Sequence, residues 1–218
     1  MIPLRDVIPS RTVPFLTVTI IILNALAWFY ELGLPREDLP VFLQQFGVVP
    51  AFFAPPTLIS SMFLHGSWSH VLGNMWYLWI FGDNVEDRMG HFRFLVFYLL
   101  CGIVAAFGQI LIDPTSTLPT IGASGAIAGV MGAYFVLYPQ SRVLTLIPLI
   151  IFWEIVELPA IFLLGFWFLM QLFSAGAIAA TSNSQAGGVA FMAHVAGFIT
   201  GLLGVFIFRK RTPDTRWV

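Results

Sequence analysis

Ser124 and His194 are the residues of this sequence whose types and surroundings are best suited to chemistry. Ser124 lies in the segment Gly-Ala-Ser-Gly and His194 in the segment Ala-His-Val-Ala-Gly, and both segments belong to apolar runs. A serine hydroxyl becomes a strong nucleophile when a neighbouring base takes its proton, and imidazole is the most frequent base. The two residues therefore predict nucleophilic catalysis, provided that the fold brings their side chains together.

His70 and Asn74 are a second pair of polar residues in an apolar run. Residues four positions apart share one face of a helix, so both side chains can direct hydrogen-bond donors at one point. In acyl transfer that point would hold the developing oxyanion, helped by the free N–H groups at the start of the helix that carries Ser124. The alternative is a polar clamp between helices, a common use of Asn and His in membranes.

A metal site is a competing interpretation, because His65, His70 and His194 could offer three nitrogen ligands in one cavity. We place no carboxylate among the helices on that side, and the amide of Asn74 is a poor zinc ligand. We therefore expect neither a metal nor another cofactor. Cys101 is the single cysteine and lies inside an apolar run, where we expect an inert, packed thiol.

The composition indicates an integral membrane protein. Of the 218 residues, 58% are hydrophobic and 10% are charged, whereas about a quarter of the residues in a soluble domain are charged. Runs of about 20 apolar residues can cross the hydrocarbon core as helices, while barrels show short alternating strands. We predict an all-α, polytopic fold, a six-helix transmembrane bundle with spans at residues 14–32, 61–82, 92–112, 121–138, 158–180 and 189–208.

The basic residues predict the orientation of this bundle. With a cytoplasmic N-terminus, all Lys and Arg residues except Arg36 lie on the cytoplasmic side, in agreement with the positive-inside rule. The chain then divides into a cytoplasmic N-terminus at 1–13, a six-helix membrane domain at 14–208 and a basic cytoplasmic tail at 209–218. Residues 143–156 are apolar but contain Pro148 and Glu154, so we interpret them as an interfacial or inner-loop segment and not as a seventh span.

Small residues predict which helices meet. We place Ser124 and His194 each about five residues into their helices, at a common depth of roughly 7 Å. Close packing of two glycine-lined faces would bring the imidazole to the hydroxyl. The alternative is that the glycines serve packing alone and Ser124 bonds to its own helix. One glycine-lined face is formed by Gly122, Gly125, Gly129 and Gly132, and the other by His194, Gly197, Gly201 and Gly204.

These segments together resemble the rhomboid family of intramembrane serine proteases. The matching stretches are H-G-S-W-S-H-V-L-G-N at 65–74, V-E-D-R-M-G at 85–90, G-A-S-G at 122–125 and A-H-V-A-G-F-I-T-G at 193–201. The resemblance implies that Ser124 is the nucleophile and His194 the general base of a dyad. It implies an oxyanion hole formed by His70, Asn74 and the backbone N–H of Ser124. The supporting residues would be His65, Gly122, Gly125, Gly197 and Gly201.

The sequence departs from the family pattern in two places. Many members carry Trp-Arg just before the second helix, where this chain has Pro56 and Thr57. Some members have a tyrosine one turn after the serine that stacks on the catalytic histidine, where this chain has Ala128. What orients His194 is therefore open.

The family also suggests moving parts and structural charges. Residues 181–188 would form a lid over the cavity, and aromatic residues of the fifth helix would gate lateral entry of substrate. We interpret Glu86 and Arg88 as a structural ion pair and helix cap, and His91 as a solvated surface residue. The expected gate residues are Phe162, Trp167 and Phe173.

The resemblance implies an intramembrane serine endopeptidase of the minimal, prokaryotic type, with no helix added to the six. We expect it in the cell (inner) membrane, with both termini cytoplasmic and the active site toward the outside. Its partners would be transmembrane protein substrates and the lipid bilayer, and no nucleic acid. One rival is a catalytically silent rhomboid-like protein that binds or escorts transmembrane segments. Another is a small transporter, which would need charged or discontinuous elements at the midplane.

Overall fold

The computed structural model of the protein describes residues 1–149, 152–181 and 190–210. The predicted lid beyond residue 181 and most of the basic tail lie outside these residues. Two single 3-10 turns accompany the regular elements, at Pro50–Phe52 and Ser61–Phe63. The elements in chain order are β1 (Ile2–Asp6), α1 (Phe15–Gly33), α2 (Leu39–Phe46), α3 (Thr57–Ser60), α4 (Trp68–Met89), α5 (His91–Ile112), α6 (Ser124–Leu137), β2 (Arg142–Leu149), β3 (Phe152–Pro159), α7 (Ala160–Thr181) and α8 (Phe191–Phe208).

Among the described residues, four helices are long and apolar enough to cross a membrane. They are α1, α5, α8 and α7 over Ala160–Ala177. α6 is apolar but has 14 residues, and α4 carries Asp83, Glu86 and Asp87 near its end. The protein is thus a multi-pass membrane protein, and the number of six spans stays a prediction.

α6 lies at the centre of the helical bundle. Every residue from Gly125 to Tyr134 is buried, because α4, α5 and α8 pack around it. A Cβ atom added at Gly197 of α8 would lie 2.1 Å from the carbonyl oxygen of Gly125. The predicted contact between the two glycine-lined faces is therefore confirmed, and it holds the start of α6 beside α8.

Two predicted helix starts are wrong. The run predicted as a helix over 61–82 becomes α-helical only at Trp68, and it continues to Met89. The hydroxyl oxygen of Ser67 accepts the His70 N–H at 3.2 Å and caps this later start. Ser124 is the first residue of α6 and does not lie five residues inside it. Gly122 precedes it with a φ of 117°, a left-handed conformation that an α-helix does not contain.

The prediction of an all-α fold is wrong for residues 142–159. Arg142–Leu149 and Phe152–Pro159 form the antiparallel strands β2 and β3, and β1 pairs antiparallel with β2, giving the strand order β1-β2-β3. Val143 and Thr145 are fully buried on one face of the sheet, and β-branched residues suit such a pleated surface. The predicted inner loop is therefore a hairpin. Its sequence is largely apolar without strict alternation, a pattern that periodicity does not distinguish from a buried helix.

The sheet is anchored to α4 and α6. The indole N–H of Trp76 donates to the carbonyl oxygen of Pro3 at 2.6 Å. The Asp6 carboxylate accepts the Tyr134 hydroxyl at 2.6 Å and an Asn84 amide N–H at 2.8 Å. Burial raises the pKa of Asp6 above its ordinary value of 3.8, although the hydrogen bond from Tyr134 opposes this shift. Residues 1–13 thus contribute a strand that packs on the bundle.

Buried Glu86 joins α4 to the first turn of α1. Its carboxylate accepts the backbone N–H groups of Leu16 at 2.9 Å and Thr17 at 2.8 Å, so it caps α1 as a carboxylate at a helix N-terminus does. The prediction of a structural helix cap is confirmed for Glu86. His91 is exposed, as predicted, and its Nδ1 also lies 2.5 Å from Glu86 Oε1, a contact that the prediction did not include.

Candidate active site

The side chains of Ser124 and His194 are in hydrogen-bond contact. The Oγ atom of Ser124 lies 2.7 Å from Nε2 of His194. Ser124 begins α6 and His194 lies in the first turn of α8, so the two glycine-lined helices bring the hydroxyl and the imidazole to one level. The distance is in the range required for proton transfer from a serine to its base.

The second ring nitrogen of His194 is held by Gln171 of α7. The Gln171 Oε1 atom lies 2.8 Å from His194 Nδ1. An amide oxygen can only accept, so Nδ1 carries the hydrogen and Nε2 accepts the hydroxyl hydrogen of Ser124. The Trp167 ring lies one turn away on α7, with its centroid 5.8 Å from the imidazole and an interplanar angle of 36°.

The donors of His70 and Asn74 converge beside Gly122. A Cβ atom added at Gly122 would lie 2.6 Å from His70 Nε2 and 3.6 Å from Asn74 Nδ2. The Gly66 N–H donates to His70 Nδ1 at 3.4 Å, a long bond that favours the hydrogen on Nε2. The N–H groups at the start of α6, including that of Ser124, have no partner within the helix. The predicted oxyanion donors therefore surround one small space.

His65 supports Asn74 from behind. His65 is buried, and its Nε2 lies 3.0 Å from the amide nitrogen of Asn74. That nitrogen can only donate, so one amide hydrogen is used by His65 and the second remains for the cavity. The backbone N–H of His65 donates to the Glu31 carboxylate at 3.2 Å. The expectation that no carboxylate lies on this side of the bundle is therefore wrong, since Glu31 is buried at the end of α1.

The described residues contain no group of three His, Cys, Asp or Glu side chains that could hold a metal ion. The competing interpretation needed His65, His70 and His194 as ligands. Nε2 of His194 is instead bonded to Ser124, and Nε2 of His65 to Asn74. This arrangement is suited to acyl transfer.

A cavity of about 560 Å³ opens onto these groups. Its polar side is formed by Ser124, His194, His70 and Asn74, and Tyr77 and Trp167 supply aromatic walls. A cavity with an apolar wall and a few convergent polar groups is the usual form of a binding site. The space beside Ser124 is therefore large enough to receive a short peptide segment.

Comparison with known proteins identifies the family. A family model described as Rhomboid domain matches residues 55–211. The chain belongs to the rhomboid family. Rhomboid-like protein 11, chloroplastic, from Arabidopsis thaliana is 28% identical over 158 residues, which cover 70% of this chain and 52% of that protein. RHOMBOID-like protein 6, mitochondrial, from the same organism is 30% identical over 161 residues, covering 73% of this chain and 45% of that protein.

A bacterial relative carries a name that mentions proteolysis. The protein named "Putative rhomboid protease YdcA" from Bacillus subtilis is 35% identical over 77 residues, which cover 35% of this chain and 38% of that protein. The matches thus span about half or less of the length of these relatives.

Position 128 of this rhomboid, next to α8, is occupied by a small, buried residue. Ala128 is buried, and a Cβ atom added at Gly197 would already lie 3.4 Å from its methyl group. The support of His194 comes instead from Trp167 and Gln171 of α7. Sequence reasoning missed Gln171, although a single amide within an apolar run was a signal that it has a polar partner. The buried Glu31, at the end of the first run, was a similar signal.

The three expected gate residues differ in position. Trp167 lines the cavity and contacts His194. Phe162 and Phe173 are 70% and 72% exposed on the bundle surface. The gate stays a prediction for all three residues.

The family's Trp-Arg pair is absent before the second predicted helix, where this chain has Pro56 and Thr57. Thr57 begins α3, and its hydroxyl donates to the Ala54 carbonyl oxygen at 2.6 Å.

Proposed function

We propose that this rhomboid is an intramembrane serine endopeptidase that hydrolyses peptide bonds in or near transmembrane segments by a Ser124–His194 dyad. The observation that carries the proposal is the 2.7 Å contact between Ser124 Oγ and His194 Nε2. The hydrogen bond from His194 Nδ1 to Gln171 supports the same assignment, because it leaves Nε2 free to act as the base.

In the acylation step His194 Nε2 takes the proton of Ser124 while Oγ attacks the carbonyl carbon of the substrate. The negative charge that develops on the carbonyl oxygen is stabilised by His70, Asn74 and the backbone N–H of Ser124. His194 then gives its proton to the leaving amine, and the peptide C–N bond breaks to leave an acyl-enzyme. Water, activated by the same imidazole, hydrolyses the ester and restores the serine.

The substrate class follows from the surroundings of the cavity. A transmembrane helix hides its carbonyl groups in its own hydrogen-bond ladder, so a segment must unwind before attack. Polar donors in the cavity can partially replace the hydrogen bonds that the segment loses, which are otherwise costly to leave unmade in lipid. The proposed substrates are therefore membrane proteins with a locally weak helix, presented in the bilayer. The proposal involves no nucleic acid.

The proposed location is a prokaryotic cell membrane, with both termini cytoplasmic and the cavity facing the outer side. Glu86, Asp87 and Arg88 at the end of α4 lie at the opposite end of that helix from His70. A basic residue on the cytoplasmic side agrees with the positive-inside rule, and this polarity supports the proposed orientation.

Labelling with a fluorophosphonate probe tests serine reactivity directly. We expect labelling of the purified, full chain in detergent, and its loss in Ser124→Ala and His194→Ala. Ser60→Ala is the matched control, because the Ser60 hydroxyl donates to the Phe46 carbonyl oxygen at 2.6 Å, away from the cavity. Absence of Ser124-dependent labelling in folded protein would favour a catalytically silent protein that binds transmembrane segments.

A further inference from the structure

We propose that Gln171 is a positioning residue that fixes the tautomer of His194 without supplying charge, in the place where a serine-protease triad has a carboxylate. This inference rests on the proposed function. Gln171 acts through His194 and does not touch the reacting atoms, so its effect should be on catalysis and not on substrate binding.

The Gln171–His194 hydrogen bond is specific because few other polar groups lie near either side chain. The sequence around Gln171 is Phe-Trp-Phe-Leu-Met-Gln-Leu-Phe, with no other polar side chain. An amide in such a membrane helix needs a polar partner, since an unpaired amide in hydrocarbon is costly. His194 Nδ1 at 2.8 Å supplies that partner. The bond therefore satisfies the amide and orients the imidazole at the same time.

Two side chains of α7 contact the imidazole, in addition to Ser124 of α6. Gln171 contacts Nδ1, and the Trp167 ring lies 5.8 Å from the imidazole, measured between centroids, at an interplanar angle of 36°. α6 and α8 meet by direct backbone approach, whereas α7 reaches the site through these two side chains. A hydrogen-bond acceptor at Nδ1 determines which nitrogen serves as base, and a wrong tautomer removes catalysis in triads of this kind.

Few titratable or charged groups lie close enough to affect the protonation of His194. His70 and Tyr77 of α4 line the same cavity, and neither α7 nor α8 has another titratable side chain. Cys101 of α5 and Tyr134 of α6 are buried in the core, where Cys101 packs on Gly129. No negatively charged group among the described residues is bonded to the His194 ring. A carboxylate placed at 171 would therefore be the nearest negative charge to the base.

Three variants of the full chain test the inference in detergent or liposomes. Gln171→Met keeps the side-chain length but removes the acceptor, so kcat should fall on the order of 10- to 100-fold with KM little changed. Gln171→Glu keeps the acceptor and adds a negative charge. It should retain most of the wild-type kcat, and because the charge favours protonation of His194, it should move the acidic limb of the kcat/KM profile to higher pH. Leu172→Ala, at the neighbouring exposed position, is the matched control.

The outcomes separate this inference from the proposed function. If wild-type protein shows no Ser124-dependent labelling, the proposed function itself fails. If wild-type protein is labelled and Gln171→Met is labelled at the same rate, or if Gln171→Glu leaves the pH profile unmoved, the positioning role is overturned. Thermal unfolding of all variants is measured in parallel, and Gln171→Glu supplies the decisive pH profile should Gln171→Met fail to fold.

Discussion

Gly201 of α8 packs directly against the backbone of Gly129 in α6. A Cβ atom added at Gly201 would lie 1.8 Å from the Gly129 carbonyl oxygen. No side-chain rearrangement can relieve such a contact, because the obstacle is backbone. The distance between these two helices therefore sets whether His194 can reach Ser124.

Gly201→Ala should separate the two helices and reduce both stability and serine reactivity. Overpacking of this kind costs about 1–3 kcal/mol, and the Ser124 to His194 contact would lengthen as well. Thermal unfolding and fluorophosphonate labelling measure the two effects. Gly176→Ala is the control, since nothing lies within 4 Å of a Cβ at that position. Wild-type labelling in Gly201→Ala would contradict the role of this contact.

Asn74→Ala should lower kcat by about 10²- to 10³-fold, the usual effect of removing one oxyanion donor. KM should change little, because the donor acts mainly on the charge that develops during attack. Cleavage kinetics of a transmembrane reporter measure this effect. Asn24→Ala is a matched control, because Asn24 is buried and bonds to Ile20 of its own helix. Equal loss of activity in both variants would indicate a stability effect only.

Glu31→Ala should destabilise the site by leaving the His65 N–H without its acceptor. A buried donor without a partner costs about 1–3 kcal/mol, and Asn74 would lose its support in turn. Glu31→Gln keeps an acceptor oxygen near His65 and should retain most of the stability and labelling. Thermal unfolding compares the two variants. If both unfold at the wild-type temperature, the carboxylate has no supporting role.

The stability of the contact between β1 and the bundle should depend on pH through Asp6. Its folded pKa is raised by burial above 3.8, so the folded state binds the proton more tightly than the unfolded state does. Stability should therefore increase as the pH falls from neutrality through the raised pKa, toward 3.8. Unfolding of wild type and Asp6→Asn at several pH values measures this slope. The slope should be smaller in Asp6→Asn, and an identical slope would assign the effect to other groups.

The meeting of Ser124 and His194 could be predicted from sequence because its signal is periodic. Glycines at helical spacing on two segments indicate faces that can approach closely. The exact start of α6 could not be predicted in the same way. It depends on the left-handed conformation of Gly122, and a glycine in an apolar run is equally compatible with a continuing helix.

Gln171 and the hairpin show what periodicity does not report. The partner of Gln171 depends on the rotation of α7 relative to α8, which no spacing within one segment encodes. Residues 142–159 are largely apolar without strict alternation, so strand and helix produce similar patterns. Their pairing with β1 depends on residues at the other end of the chain, such as Ile2 opposite Leu146.

The pairing of Ile2 with Leu146 also sets an order of events during synthesis. β1 has no partner in the sheet until β2 has been synthesised, since Asp6 pairs with Val143 and Ile2 pairs with Leu146. By then the segments that form α1, α4, α5 and α6 have all been synthesised and can have entered the membrane. These segments include Tyr134, whose hydroxyl donates to the Asp6 carboxylate in the folded protein. The sheet can thus close only after α6, the central helix, has been synthesised.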